Sequence, residues 1–290
     1  MKTVLVILSM CCAGLCLAQA EGQQAPAATD PPAACASAPV PAVLPMIAIP
    51  QPPTLDGVLE ALKKQTESLG SYQAKVKYLF IQDPELLDSR TLRTGSLYYQ
   101  KSPKSQIRIQ FDTFKQEATQ EEKRLEQFFF DGVWLTRIDH TLKKADFYQK
   151  AKPDKPMNVF EFLNTSFPIV GFAKTENLSK DFTISLVAES RTDPNQPVHL
   201  LLVTKPESRF AEQYKKIDFW IDARQVLPKR ILTASTEGDI YDISFVDAVV
   251  NKPIDPAVFV PSIPEGFTQN KQPLDENNPD TTTLVPRGSK

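Results

Sequence analysis

From Tyr72 to Phe80 the chain alternates: Tyr72, Ala74, Val76, Tyr78 and Phe80 are separated by Gln73, Lys75 and Lys77. A period of two marks a strand with one buried face. Just upstream the period lengthens. Val58, Leu59, Leu62 and Leu69 recur at helical spacing, with Lys63, Lys64 and Glu67 mostly on the other side. The pattern predicts an amphipathic helix starting near Thr54 and stopping at Gly70. Strand-like runs then follow at 91–100, 106–111, 125–130, 133–138 and 144–149, and again at 182–188, 198–204, 217–221, 228–234 and 240–246. One further helix is predicted around 158–164, where Val159, Phe160, Phe162 and Leu163 form an apolar side and Asn158 supplies a cap.

The turns between these runs carry hairpin chemistry: Asp131-Gly132, Asp139-His140, Asp193-Pro194-Asn195 and Glu237-Gly238-Asp239. About ten or eleven strands with two short helices predict a mainly β (α+β) fold, a large antiparallel sheet curved on itself rather than a βαβ alternation. Its apolar face is expected to carry Tyr78, Phe80, Ile107, Ile109, Phe111, Phe129, Phe147 and Phe219, with Phe182, Ile184 and Phe245. A sheet with one apolar face must be covered. Either the curvature closes a packed barrel, or a concave apolar space remains between sheet and helices, which would suit a lipid-chain binder.

The two ends of the chain read differently. Residues 1–20 begin with Lys2, run apolar from Val4 to Leu17 and end in Ala18-Gln19-Ala20, the layout of a secretory signal peptide. The run falls short of the roughly 20 apolar residues of a membrane span. Cys11, Cys12 and Cys16 lie in it, and none has the flanking residues of a lipid-acceptor cysteine. After cleavage only Cys35 remains, so no internal disulfide is available. Residues 21–53 hold nine prolines among small residues with no apolar period, which predicts a disordered linker. The domain is expected over 54–268. Residues 269–290 read as a flexible tail, in which 284–289 reproduce a thrombin cleavage site of the kind added by engineering.

Composition narrows the chemistry. Among 290 residues, 33 are Lys or Arg and 35 Asp or Glu, a net charge of -2, which argues against a nucleic-acid binder. Two histidines and four cysteines leave little for a zinc site or thiol catalyst. With 25 prolines and 10 glycines, no glycine-rich phosphate loop occurs, and no cofactor is expected. His140 follows a turn aspartate and His199 lies mid-strand with no matching carboxylate pattern, so no triad emerges. Arg108, between Ile107 and Ile109, is expected on the solvated face. Trp134 and Trp220 read as packing residues. Asp83, Glu85 and Asp88 lack the calcium-loop spacing. The charged stretch 115–124 reads as a hairpin excursion or short exposed helix. A non-enzymatic protein working through apolar surface is expected.

Three motifs in order add a resemblance. Thr94-Gly95-Ser96-Leu97-Tyr98-Tyr99, Pro103 and Gln106-Ile107-Arg108-Ile109 resemble a G-x-L-W … P … F-R-W pattern. Asp131-Gly132-Val133-Trp134-Leu135 resembles its DG hairpin. Phe245-Val246-Asp247, Asp255-Pro256-Ala257-Val258-Phe259 and Pro264-Glu265-Gly266 resemble its closing pattern. Over 54–268 the chain thus resembles the outer-membrane lipoprotein carrier family, LolA-like. The resemblance implies a strongly curved, incomplete antiparallel β-barrel with helices as a lid over an apolar cavity.

In that reading Tyr78, Phe80, Ile107, Ile109, Phe111, Phe129, Phe147 and Phe219 line the acyl-chain cavity. Val58, Leu59, Leu62, Val159, Phe160, Phe162 and Leu163 form the lid. Family carriers often latch the lid with an arginine before the motif proline. Here Lys101 and Ser102 precede Pro103, and Lys101, without a guanidinium fork, is the substitute. The implied function is a periplasmic, monomeric carrier of lipoprotein acyl chains or lipids between an inner-membrane release complex and an outer-membrane acceptor. The alternative is a sensor of the same fold that detects lipids or lipoproteins and signals to a membrane partner.

Overall fold

The computed structural model describes residues 47–166, 175–187 and 193–274, with the side chains at 164–166 and 175–177 left aside. The signal-peptide reading of 1–20, Cys35, most of the linker 21–53 and the site-like 284–289 lie outside the described residues.

The amphipathic pattern near the start becomes helix α1 (Leu55–Ser68). Thr54 caps it by accepting the Gly57 N–H at 3.2 Å, and Asp56 in the first turn meets the positive end of the helix dipole. At the far end Asn251 takes over. Its side-chain oxygen accepts from Gly70 N at 2.7 Å and Ser71 N at 3.3 Å, and its amide donates to Ser68 O at 3.4 Å.

The chain then makes six strands in a meander: β1 (Ser71–Gln82), β2 (Ser89–Gln100), β3 (Gln106–Gln116), β4 (Glu122–Phe130), β5 (Trp134–Asp139) and β6 (Lys144–Gln149). Two helices follow, α2 (Val159–Ser166) and α3 (Thr175–Asp181). A second meander runs through β7 (Phe182–Leu186), β8 (Val198–Thr204), β9 (Tyr214–Ile221), β10 (Pro228–Ser235) and β11 (Ile240–Val250). A 3-10 turn at Pro256–Phe259 leads to β12 (Thr268–Gln272).

The strands form one sheet in the order β12-β6-β5-β4-β3-β2-β1-β11-β10-β9-β8-β7. Every pairing is antiparallel except β12, which runs parallel to β6. The two meanders meet where β1 pairs with β11, with Val76 opposite Phe245 and Tyr78 opposite Ile243. The end strands β12 and β7 are not paired to each other, so the sheet is not closed.

Scarce glycine is replaced by aspartate at the turns. Asp131 accepts from the amides of Val133 and Trp134, Asp139 from Thr141 and Leu142, and Asp222 from Arg224 and Gln225. Glycine is retained where space or φ demands it. Gly132 has φ +92, and a Cβ on Gly95 would lie 1.8 Å from the Gln110 carbonyl at the β2–β3 bulge.

Two elements differ from the sequence reading. The pattern does not predict α3, because its TENLSKD run has little apolar material. Nor does it predict β12, because all five of its residues are exposed and no alternation exists to detect. Of the two readings of the charged stretch 115–124, the structure shows the hairpin, formed by the ends of β3 and β4.

Candidate functional site

Alternation gives the sheet an inner face carrying Tyr72, Ala74, Val76, Tyr78 and Phe80 from β1, Leu97 and Tyr99 from β2, and Ile107, Ile109 and Phe111 from β3. Phe128 and Phe130 of β4, Phe219 of β9 and Phe245 of β11 join the same cluster. The helices cover it. Val58, Leu62, Val159, Phe162 and Leu163 are buried against this face, and Leu59 and Phe160 pack at its margin. Phe162 stacks on Phe130 with centroids 3.9 Å apart, and Phe160 meets Tyr99 at 4.5 Å. All seven expected lid residues therefore touch or border the inner face.

Of the eight expected cavity residues, six lie there: Tyr78, Phe80, Ile107, Ile109, Phe111 and Phe219. Phe129 and Phe147 do not. They belong to a second cluster on the opposite face, with Ile138, Ala145, Ile263 and Phe267. The physical reason is that the segment after the 3-10 turn folds across β4–β6 and buries their outer side. The run Phe128-Phe129-Phe130 carried that signal, since three consecutive buried residues require a strand covered on both faces. Arg108 shares this outer side. It donates to Val258 O at 3.0 Å and sits 5.2 Å from the Phe129 ring, half-buried rather than solvated.

Among the described residues the inner face leaves little open space. The space bounded by Val76, Tyr78, Leu97, Ile109, Phe111, Ile243 and Phe245 measures about 10 Å³, room for one water at most. A larger groove of about 170 Å³ opens elsewhere, among Phe129, Trp134, Phe259 and Val260, with the Lys104–Asp131 ion pair on its rim.

Lys101 reaches the helix it was expected to hold. Its ammonium donates to the main-chain oxygen of Glu67 in the last turn of α1, at 2.9 Å. Asp131 anchors the motif turn by a different balance. Burial alone would raise its pKa, but the hydrogen bond from Lys104 and the amides of Trp134 and Val133 outweigh that and hold it below the ordinary carboxylate value.

Toward the β1–β2 and β3–β4 hairpins the inner face turns from apolar to charged. Arg93 stands opposite Tyr78, Glu126 opposite Phe111, and Arg137 opposite Phe128. Glu126 is 3% exposed and takes Arg93 on one oxygen at 2.6 Å and Arg137 on the other at 2.6 Å. Arg137 also lies 3.9 Å from Asp139, and Lys144 pairs with Asp146 at 2.9 Å. Burial pulls the Arg93 guanidinium below its ordinary value, and Glu126 and Tyr78 oppose that pull.

The sequence reading missed this cluster. The available signal was parity: Arg93 shares the register of Leu97 and Tyr99, and Glu126 that of Phe128 and Phe130. On the outer face His199 does meet a carboxylate, Asp218 at 3.0 Å, and stacks on Trp220, a pairing the local sequence did not reveal. Among the described residues no group of His, Cys, Asp or Glu is placed to hold a metal ion, and no helix is long and apolar enough to cross a membrane.

No family model and no curated protein matches the chain. Solved structures do. One is an uncharacterized conserved protein from Thermus thermophilus, at 11% identity and TM-score 0.44, covering 75% of this chain and 98% of that one. Another is MucB in its complex with MucA from Pseudomonas aeruginosa, at 12% identity and TM-score 0.39, where 71% of this chain matches 60% of the other. A LolA superfamily protein is also similar. It comes from Nitrosomonas europaea, with 12% identity, TM-score 0.31 and coverage of 70% and 97%.

Proposed function

We propose that the protein is an exported, periplasmic carrier that shields the acyl chains of lipoproteins or lipids against the inner face of its sheet and passes them between membranes. The supporting observation is the way that face is covered. Aromatic and aliphatic side chains from nearly every strand are sheltered by short helices, 14, 8 and 7 residues long. Leu62, Val159 and Phe162 occupy the position that a hydrocarbon chain would take. Entry of cargo then exchanges one apolar neighbour for another.

The balance suits a carrier. Each methylene kept from water is worth about 0.8 kcal/mol, so an acyl chain does not cross an aqueous space unescorted. The helices that leave the face lose a similar apolar burial, which offsets the gain and keeps binding reversible. No covalent step is required of any residue.

The test is lipid extraction and native mass spectrometry of protein purified from an envelope fraction, together with uptake of a fluorescent acyl probe. Co-purified lipid and saturable uptake are expected. Phe111→Asp, which places a charge on the inner face, should abolish uptake while the protein stays soluble. Absence of both lipid and uptake in the unaltered protein would sink the reading.

A further inference from the structure

Tyr78 is 4% exposed, and its hydroxyl has no hydrogen-bond partner among the described residues. Leaving a buried donor unmade is costly, and folded interiors pair nearly all such groups. The phenol lies directly across the β1–β2 pair from Arg93. Arg93 and Arg124 both approach the ring of Phe114, with guanidinium carbons 5.6 and 5.0 Å from its centroid. Arg124 Nε is buried without an acceptor, and no carboxylate pairs with this side chain among the described residues. Arg93 and Arg137 share Glu126, whereas Arg124 stands near Arg93 with its own guanidinium unpaired among the described residues.

Below the Tyr78 ring, Val76, Phe111, Ile243 and Phe245 form an apolar wall around the small interior space. An unpaired guanidinium and an unpartnered phenol on one side, with an apolar wall on the other, match a ligand that is itself divided. An anionic oxygen group takes charge-assisted hydrogen bonds from guanidinium and phenol, roughly twice as strong as neutral ones. A tail attached to it runs along the wall.

We infer that Tyr78, Arg93 and Arg124 receive the anionic head group, carboxylate or phosphate, of an amphiphile whose hydrocarbon tail lies along Val76 and Phe111. The inference rests on the carrier reading and narrows its cargo to acyl chains that bear an acid. Glu126 holds Arg93 and Arg137 in place, and Arg124 and Tyr78 supply the free donors.

The experiment compares a fluorescent long-chain fatty acid, its methyl ester and a lysophosphatidate with the same fluorophore, with inorganic phosphate as a competitor that has no tail. Binding of the two acids about tenfold tighter than the ester is expected, since one charge-assisted bond is worth about that factor. The preference should fall to within a factor of about three in Arg124→Gln and in Tyr78→Phe. Neither variant removes a hydrogen-bonded group, so Arg124→Gln should keep the thermal midpoint of the unaltered protein and Tyr78→Phe should match or exceed it.

A fatty acid preferred over lysophosphatidate, or the reverse, would identify the acid and support the assignment either way. Equal binding of acid and ester overturns the head-group inference and leaves the carrier reading standing. Uptake of none of the three overturns the carrier reading and the inference with it. Displacement by inorganic phosphate at the same concentration as the acids overturns the divided-ligand argument. A preference that survives in both variants overturns the choice of residues.

Discussion

Lys101 Nζ donates a hydrogen bond to Glu67 O across 2.9 Å, joining the end of β2 to the last turn of α1. The cation satisfies a carbonyl that the helix leaves without an internal partner, at the negative end of the dipole. At this exposed position the contact is worth about 0.3–1 kcal/mol. Lys101→Met should therefore cost little stability, yet speed hydrogen exchange at Thr66–Ser68 and accelerate acyl-probe uptake. Lys101→Arg should restore both. Unchanged exchange in Lys101→Met would show that the contact does not hold α1.

Glu126 is the buried hub that holds Arg93 and Arg137, and removing it strands the buried Arg93. Glu126→Ala is expected to lower stability by about 3–5 kcal/mol in denaturant titrations. Combining Glu126→Leu with Arg93→Met should recover much of that loss, because apolar groups of similar volume need no partner. A mild effect of Glu126→Ala would mean that water already solvates these side chains.

Gly95 lies so close to β3 that a methyl group would sit 1.8 Å from Gln110 O, a main-chain atom that cannot rotate away. Gly95→Ala should destabilise at or above the roughly 1–3 kcal/mol of ordinary overpacking. A thermal midpoint within a degree of the unaltered protein, a shift of about 0.3 kcal/mol or less, would contradict the β2–β3 register.

Asp131 has a pKa held below its ordinary 3.8 by Lys104 and two amides. A depressed carboxylate contributes stability that is present above the unfolded value and is lost as pH falls through the folded one. Asp131→Asn, which keeps the turn acceptor, should be less stable than the unaltered protein at neutral pH. The difference should close as pH drops below 3.8. A gap that stays constant down to strongly acidic pH would show that the charge is not what Lys104 and the turn depend on.

Much of the fold was legible because alternation survives wherever one face of a strand meets solvent. β1 shows this most clearly: Gln73, Lys75 and Lys77 are exposed, and their neighbours are buried. The reading failed where a second layer intervenes. Phe129 and Phe147 have the right chemistry for the interior, but a segment more than a hundred residues later covers the outer face and claims them. It failed again where charge replaces hydrophobicity at an inward position, as at Glu126. Local pattern assigns such a residue to solvent, and only the neighbouring register exposes the conflict. β12 carries no pattern at all, and its place is fixed by pairing with β6 rather than by burial.

The seam between β1 and β11 sets an order for the chain's own synthesis. β1 can pair with β2 as soon as the first meander emerges, but its other edge waits for residues 240–250. The Asn251 side chain that secures the end of α1 comes later still, 181 residues after Gly70. Loop closure over such a span is slow relative to local pairing. Until it happens, the first six strands stand as a half-sheet with one apolar side and two open edges, β1 awaiting β11 and β6 awaiting β12. A nascent chain of this design therefore needs protection from aggregation for most of its length, and a stop placed just before Ile240 would leave the β1 edge open for good.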